Sequence, residues 1–150
     1  MVEIYIDADA CPVKEEAIRV AQRHDLKTYL VTDGGLRPSR DPMVELVIVA
    51  QGADAADDWI AEHIQPADIC ITNDIPLAAR CLERQAFALK PNGDAFTVDG
   101  IGMALANREL MQGLRDSGAV TGGPKPFSRS DRSAFLNHLE TCVQAAKRHN

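Results

Sequence analysis

The sequence predicts an α/β fold in three layers, with helices on both faces of a mostly parallel sheet of about five strands. Short apolar runs rich in β-branched residues alternate along the chain with stretches of helical periodicity. At two places an acidic strand end passes straight towards a helix opened by proline, at Asp7 to Pro12 and at Asp74 to Pro76. Such alternation is built from right-handed crossovers between parallel strands. With 150 residues, 45% of them hydrophobic, the chain has the length of one domain and buries roughly 70% of its unfolded surface on general scaling. Residues 1–150 are therefore read as a single domain, with the last helix, about 129–148, docked on it.

Val2 to Ile6 is the first strand, apolar and β-branched. Val13, Ala17, Val20, Ala21 and His24 then recur at helical spacing, so residues 12–24 form a helix with one buried stripe. Thr28 to Val31 is a short strand, Asp33-Gly34-Gly35 a turn, and Leu36 to Pro42 a polar loop. Val44 to Ala50 is the third strand, Gly52 breaks it, and residues 53–64 form a helix stopped by Pro66. Asp68 to Thr72 is the fourth strand, 75–84 the next helix, Ala86 to Leu89 the fifth strand, and 100–116 a helix with Asp99 placed to cap it. A turn-rich link, Thr121 to Phe127, precedes the last helix. Ser128 and Asp131 form a capping box there, and Phe135, Leu136, Leu139, Cys142, Val143 and Ala146 supply the face that docks.

Composition excludes several classes. No stretch approaches the roughly 18 apolar residues of a membrane span, and Glu3 with Asp7 is incompatible with a signal peptide, so a cytoplasmic protein is expected. Cys11, Cys70, Cys81 and Cys142 form no C-x-x-C pair, which predicts reduced thiols rather than disulfides or structural zinc. Net charge is -6, unevenly spread: residues 119–150 carry +3 and residues 1–118 carry -9. An acidic body with a basic end separates candidate metal ligands from candidate phosphate contacts.

The acids carry the chemistry. Asp7 and Asp9 stand one residue apart at a strand-to-helix junction, the place where open α/β sheets bind ligands. Two like charges so close raise the pKa of at least one unless a cation intervenes. The alternative for Asp9 is a simple helix cap. On the 53–64 helix, Asp57 falls within the apolar arc of Ala53, Ala56, Ile60, Ala61 and Ile64, Asp54 lies on its border, Asp58 faces solvent, and Trp59 is roughly opposite the arc. A carboxylate facing the core requires a partner, which arginine or a metal supplies. Asp74 repeats the first junction, either as an N-cap or as a further ligand. If the first and fourth strands are neighbours, Asp7, Asp9, Asp57 and Asp74 project from one edge. Oxygen ligands without histidine suit Mg²⁺ or Mn²⁺. Cys11 beside these acids is read as a buried thiol rather than a nucleophile.

Four ordered strings, Asp7-Ala-Asp-Ala-Cys-Pro-Val-Lys14, Gly52-Ala-Asp-Ala-Ala-Asp57, Ile71-Thr-Asn-Asp74 with Leu77-Ala78, and Gly123-Pro-Lys-Pro-Phe127 with Asp131-Arg132, span nearly the whole chain. Together they resemble the bacterial YaiI/YqxD family, which in turn is similar to PIN-like nucleases, enzymes whose parallel sheet gathers acids around divalent metal to cut phosphodiesters. The resemblance implies a PIN-like domain in which Asp7, Asp57 and Asp74 hold Mg²⁺ or Mn²⁺. Asp9 and Asp54 belong to the family's own pattern and would orient water or bind a second ion. The implied activity is hydrolysis of RNA or DNA, with Lys14, Thr72, Lys125, Arg129 and Arg132 as candidate phosphate contacts. The rivals are a PIN-like protein that binds metal or nucleic acid without cutting, and a phosphatase with an aspartyl nucleophile. The phosphatase has the wrong motif order, since Asp57-Asp58 precedes Thr72. A receiver-type signalling module lacks its phosphoacceptor, because Val49-Ala50-Gln51-Gly52 offers no Asp.

Overall fold

A computed structural model describes residues 1–52, 54–116 and 127–149. Five helices and a six-stranded sheet form three layers. The strands are β1 (Glu3–Asp7), β2 (Lys27–Thr32), β3 (Val44–Ile48), β4 (Ile69–Ile71), β5 (Phe87–Leu89) and β6 (Ala95–Phe96). The helices are α1 (Lys14–Arg23), α2 (Ala55–His63), α3 (Ile75–Glu83), α4 (Val98–Asp116) and α5 (Arg129–His149). Strand order is β3-β2-β1-β4-β5-β6, parallel throughout except for the β5–β6 pair. None of the described helices is long and apolar enough to cross a membrane.

The two-residue period of β1 distributes the core between the sheet's faces. Ile4 and Ile6, fully buried, point to the face covered by α1 and α5, where Val13, Ala17 and Val20 meet Phe135, Leu139 and Val143. Tyr5 points the other way, into Ile60 and Ile64 of α2 and Leu77 and Cys81 of α3. Buried on both sides, β1 and β4 read as continuous apolar runs, as central parallel strands do. A smaller cluster, Ala78, Ala88 and Phe96 with Ile101, fastens α4 to α3 and the β6 end. Trp59 departs from its expected outward position: it is half-buried, 6.0 Å from Tyr5 and 5.7 Å from Tyr29 between ring centroids, because those aromatics of β1 and β2 extend past the edge of α2.

β6 is the strand that the sequence does not announce. Two residues are too few to show alternation, and its place is fixed by a turn in which Lys90 N–H donates to Asp94 O at 2.9 Å and Gly93 N–H to Lys90 O at 2.8 Å. Gly93 has φ +96°, and a Cβ there would lie 2.7 Å from His138 Nδ1 and 2.9 Å from Ala134 O. Only glycine fits both the backbone and the approach of α5. The α4 start also differs: Thr97, not Asp99, caps it, its hydroxyl accepting from Gly100 N–H at 2.9 Å, so the helix begins at Val98 and Asp99 falls in the first turn. All four cysteines are free and buried.

Phe135 is fully buried where α5 meets the sheet. Truncation to alanine leaves a cavity that fixed neighbours cannot close, so Phe135→Ala is expected to lower unfolding free energy by about 3–5 kcal/mol. Urea denaturation followed by circular dichroism measures this as a reduced midpoint at unchanged slope.

Candidate active site

The site is assembled where β1 and β4 end. Asp7 has the parity of Tyr5 and therefore points to the α2/α3 side of the sheet. The neighbouring strand runs one residue further into Thr72, whose buried hydroxyl donates to Asp7 Oδ2 at 2.9 Å. The same hydroxyl accepts Asp74 N–H at 2.9 Å, and Asp74 Oδ1 in turn accepts Leu77 N–H at 2.9 Å, capping α3. Asp57 enters from the first turn of α2, half-buried on the side that carries Ile60 and Ala61, and lies within hydrogen-bonding reach of the Asp74 carboxyl. Three elements thus deliver three carboxyls to one edge.

Their charges are felt. Burial first, then Asp74, Asp7, the hydrogen bond with Asp74 and the charge of Asp54 push the Asp57 carboxyl up to about 7. A hydrogen bond between two carboxyls requires a proton held between them. Asp7 is raised as well, chiefly by burial, with Asp74 and Asp9 adding to the rise and the Thr72 hydroxyl opposing it. None of the ion pairs among the described residues reaches Asp7, Asp57 or Asp74. In kind, an all-oxygen donor set fits Mg²⁺ or Mn²⁺. In placement, among the described residues no three Asp, Glu, His or Cys side chains stand close enough to hold a metal ion as they are.

The other nominated residues are dispersed. Asp9 does not cap a helix: from the 3-10 turn Ala8–Ala10 its carboxylate accepts the Thr32 hydroxyl and Asp33 N–H, the latter at 3.1 Å, which ties the β1 loop to the end of β2. Asp54 is exposed at the N-cap position of α2 and makes no side-chain cap. Asp58 pairs with Arg80 at 2.7 Å on the surface. Lys14 Nζ donates to the carbonyls of Ala8 and Cys11, at 3.3 and 3.1 Å, and so rests on the loop behind the acids. Arg132 is committed to α1 and the turn before it, with Nη1 2.9 Å from Pro12 O and 3.0 Å from Glu16 Oε1, and its guanidinium lies over Phe127. Arg129 is exposed at the start of α5, and Lys125 lies outside the described residues, as does most of its motif. Cys11 is buried and its thiol is pushed up to about 11, chiefly by desolvation, which fits a core residue rather than a nucleophile.

One residue is absent from the sequence reading. Arg108 of α4 lines the same recess as Asp7, Thr72, Asn73, Asp74 and Pro91, a cavity of about 330 Å³. An arginine on an exposed helical face carries no local signal, and only the packing of α4 on α3 reveals where it stands.

A family model described as "Uncharacterized BCR, YaiI/YqxD family" matches residues 5–145. This chain belongs to the YaiI/YqxD family. Among its relatives, a UPF0178 protein of Parvibaculum lavamentivorans is 57% identical over 148 residues, covering 99% of this chain and 97% of that protein. The UPF0178 proteins of Paramagnetospirillum magneticum and Rhodospirillum rubrum are 55% and 57% identical, covering 99% and 97% of this chain and 98% of each relative. No solved structure matches.

The sign of the Asp57 shift fixes a pH dependence. Between the ordinary carboxyl value of 3.8 and about 7, the folded chain holds a proton that the unfolded chain releases. Stability from this group is complete at low pH and is lost as pH rises through 7. In chelator, thermal unfolding midpoints of the native protein are expected to fall from pH 5 to pH 8 relative to Asp57→Asn, whose neutral amide removes the repulsion, and the variant is expected to melt higher at pH 8.

Proposed function

We propose that this YaiI/YqxD protein is a divalent-metal-dependent nuclease, hydrolysing phosphodiester bonds of RNA or DNA at Asp7, Asp57 and Asp74. What supports the reading is the delivery of these three carboxyls, from β1, α2 and the β4–α3 junction, to one carboxyl edge of a parallel sheet, with no protein cation paired to any of them among the described residues. Their order along the chain also agrees with the PIN-like pattern that the sequence resembles.

Asp7, Asp57 and Asp74 would hold Mg²⁺ or Mn²⁺, which supplies Lewis acidity towards phosphoryl oxygens and lowers the pKa of bound water. The chain's own residues prepare the site. Thr72 fixes Asp7 with its hydroxyl and Asp74 through the main chain, so two carboxyls keep one orientation. Asp57, whose carboxyl is pushed up to about 7, would have to release any proton it holds in order to bind a cation, so cation affinity would rise with pH up to about 7. Asp9 acts at one remove, holding the β1 loop through Thr32 and Asp33, and Asp54 adds negative charge beside Asp57.

Thermal unfolding in Mn²⁺, Mg²⁺ or chelator, paired with cleavage of labelled oligonucleotides, tests the proposal. Mn²⁺ at 100 times its dissociation constant is expected to stabilise the native protein by about 2.7 kcal/mol. Asp7→Asn is expected to lose that stabilisation and all chelator-sensitive cleavage while keeping its circular dichroism spectrum. Cleavage by Asp7→Asn at the native rate overturns the assignment. Metal-dependent stabilisation and oligonucleotide binding with no cleavage support the binding protein instead.

A further inference from the structure

We infer that the nuclease site proposed above is fed by a phosphate track for single-stranded nucleic acid, running from the acids past Arg108 to Lys90. The inference rests on that reading of the acids as the point to which a phosphate is brought, and it names the residues that carry the neighbouring phosphates.

Three recesses lie in series. The first, about 330 Å³, holds Asp7, Thr72 and Asp74. It shares Asn73 and Arg108 with a second, about 560 Å³, walled by Ile75, Lys90, Asn107 and Met111. The second shares Lys90 and Ala104 with a third, about 380 Å³, that reaches Phe96 and Thr97. Shared walls make one continuous groove between α4 on one side and the β4–α3 and β5–β6 connections on the other. It begins at the carboxyls and ends beyond Lys90.

The charges along it are arranged for a polyanion. Arg23, Lys27, Arg80 and Arg132 each form an ion pair with a carboxylate of the protein. Arg108 and Lys90 form none among the described residues, although the chain carries a net charge of -6. Two cations from separate elements, neither in an ion pair among the described residues, therefore stand one after the other along a groove that starts at the acids, with Asp94 lining the recess beyond Lys90. Guanidinium binds phosphate in a two-point fork, and the ammonium acts as a point charge. The Lys90 ammonium is steadied 5.4 Å above the Phe96 ring. Between them, the amides of Asn73 and Asn107 offer donors and acceptors to sugar or base, and Ile75 with the partly exposed Met111 offers an apolar face.

The size of the groove selects a single strand. Recesses of this volume take one small ligand each, so a flexible chain enters one nucleotide at a time. A paired, stacked duplex cannot present its phosphates one nucleotide at a time to recesses of this size, which makes weaker duplex binding the expectation.

Binding measured apart from cleavage tests the track. Fluorescence anisotropy with dye-labelled oligothymidylate, oligouridylate and a DNA duplex is followed over a salt series in Mg²⁺, using Asp7→Asn protein so that no strand is cut. Each phosphate contact adds about 0.7 to the slope of log affinity against log salt for a single strand. Adding Lys90→Gln or Arg108→Gln is expected to flatten the slope by about 0.7 and to weaken single-strand binding about eightfold at about 50 mM salt, relative to a 1 M reference. Adding Arg19→Gln, exposed on α1, is expected to change neither. Preference for one oligonucleotide over the other identifies RNA or DNA as the source of the phosphates, and weaker binding of duplex supports the track. No binding of either strand, slopes indifferent to Lys90 and Arg108, or an equal loss with Arg19→Gln overturns it. Flattened slopes with no cleavage by the native protein leave the track standing and overturn the nuclease. Metal-dependent cleavage whose KM ignores both substitutions overturns the track alone.

Discussion

The pairing of β1 with β4 is the constraint on which core and site both depend. These strands lie at the centre of the sheet, register Ile4 with Ile69 and Ile6 with Ile71, and bury one residue to each face in turn. The same register carries their ends out side by side, so that Thr72 can donate to Asp7 and the next helix can begin at Asp74. A register slip of one residue would turn Asp7 towards α1 and α5 and bring isoleucines to the opposite face. The apolar alternation that stabilises the fold therefore also aims the carboxyls.

Within that frame the two strands flanking β1 do parallel work. β2 and the β4 end each provide a fully buried threonine, Thr32 and Thr72, and each hydroxyl donates to a carboxylate of the β1 loop, Asp9 and Asp7 respectively. The pattern separates two acids that stand one residue apart. Asp9 is drawn towards β2 and serves the loop; Asp7 is drawn towards β4, where Asp57 and Asp74 are. Without those opposed donors the two neighbours would compete for the same space and the same solvation.

Much of this was legible in the residues. Hydrophobic period and proline punctuation located five strands and every helix to within a few residues, because long elements repeat their pattern and buried central strands are unmistakably apolar. Helical phase placed Asp57 inward, and the two strand-to-helix junctions marked Asp7 and Asp74. What escaped were features decided by contacts remote in sequence: the two-residue β6, the half-burial of Trp59 against Tyr5 and Tyr29, the turn of Asp9 to Thr32, and Arg108 at the acid recess. Lys125, Arg129 and Arg132 suggest phosphate contacts by charge alone, yet charge says nothing about partners, and Arg132 already has two, the Pro12 carbonyl just before α1 and Glu16 on it.

That last arrangement makes the final helix part of the foundation of the acid edge. Glu16 is buried on α1, just beyond the turn that follows Asp7 and bears Asp9, and among the described residues one of its oxygens lacks a hydrogen bond while the other meets Arg132. The arginine is thus a keystone: it neutralises a carboxylate stranded in the core and pins the Pro12 carbonyl at the mouth of the loop in the same grip. A chain ending before α5 would strip away more than a hydrophobic lid. It would leave an orphaned charge beneath the very turn that sets the orientation of the acids, so the integrity of one end of the polypeptide is written into the geometry of the other.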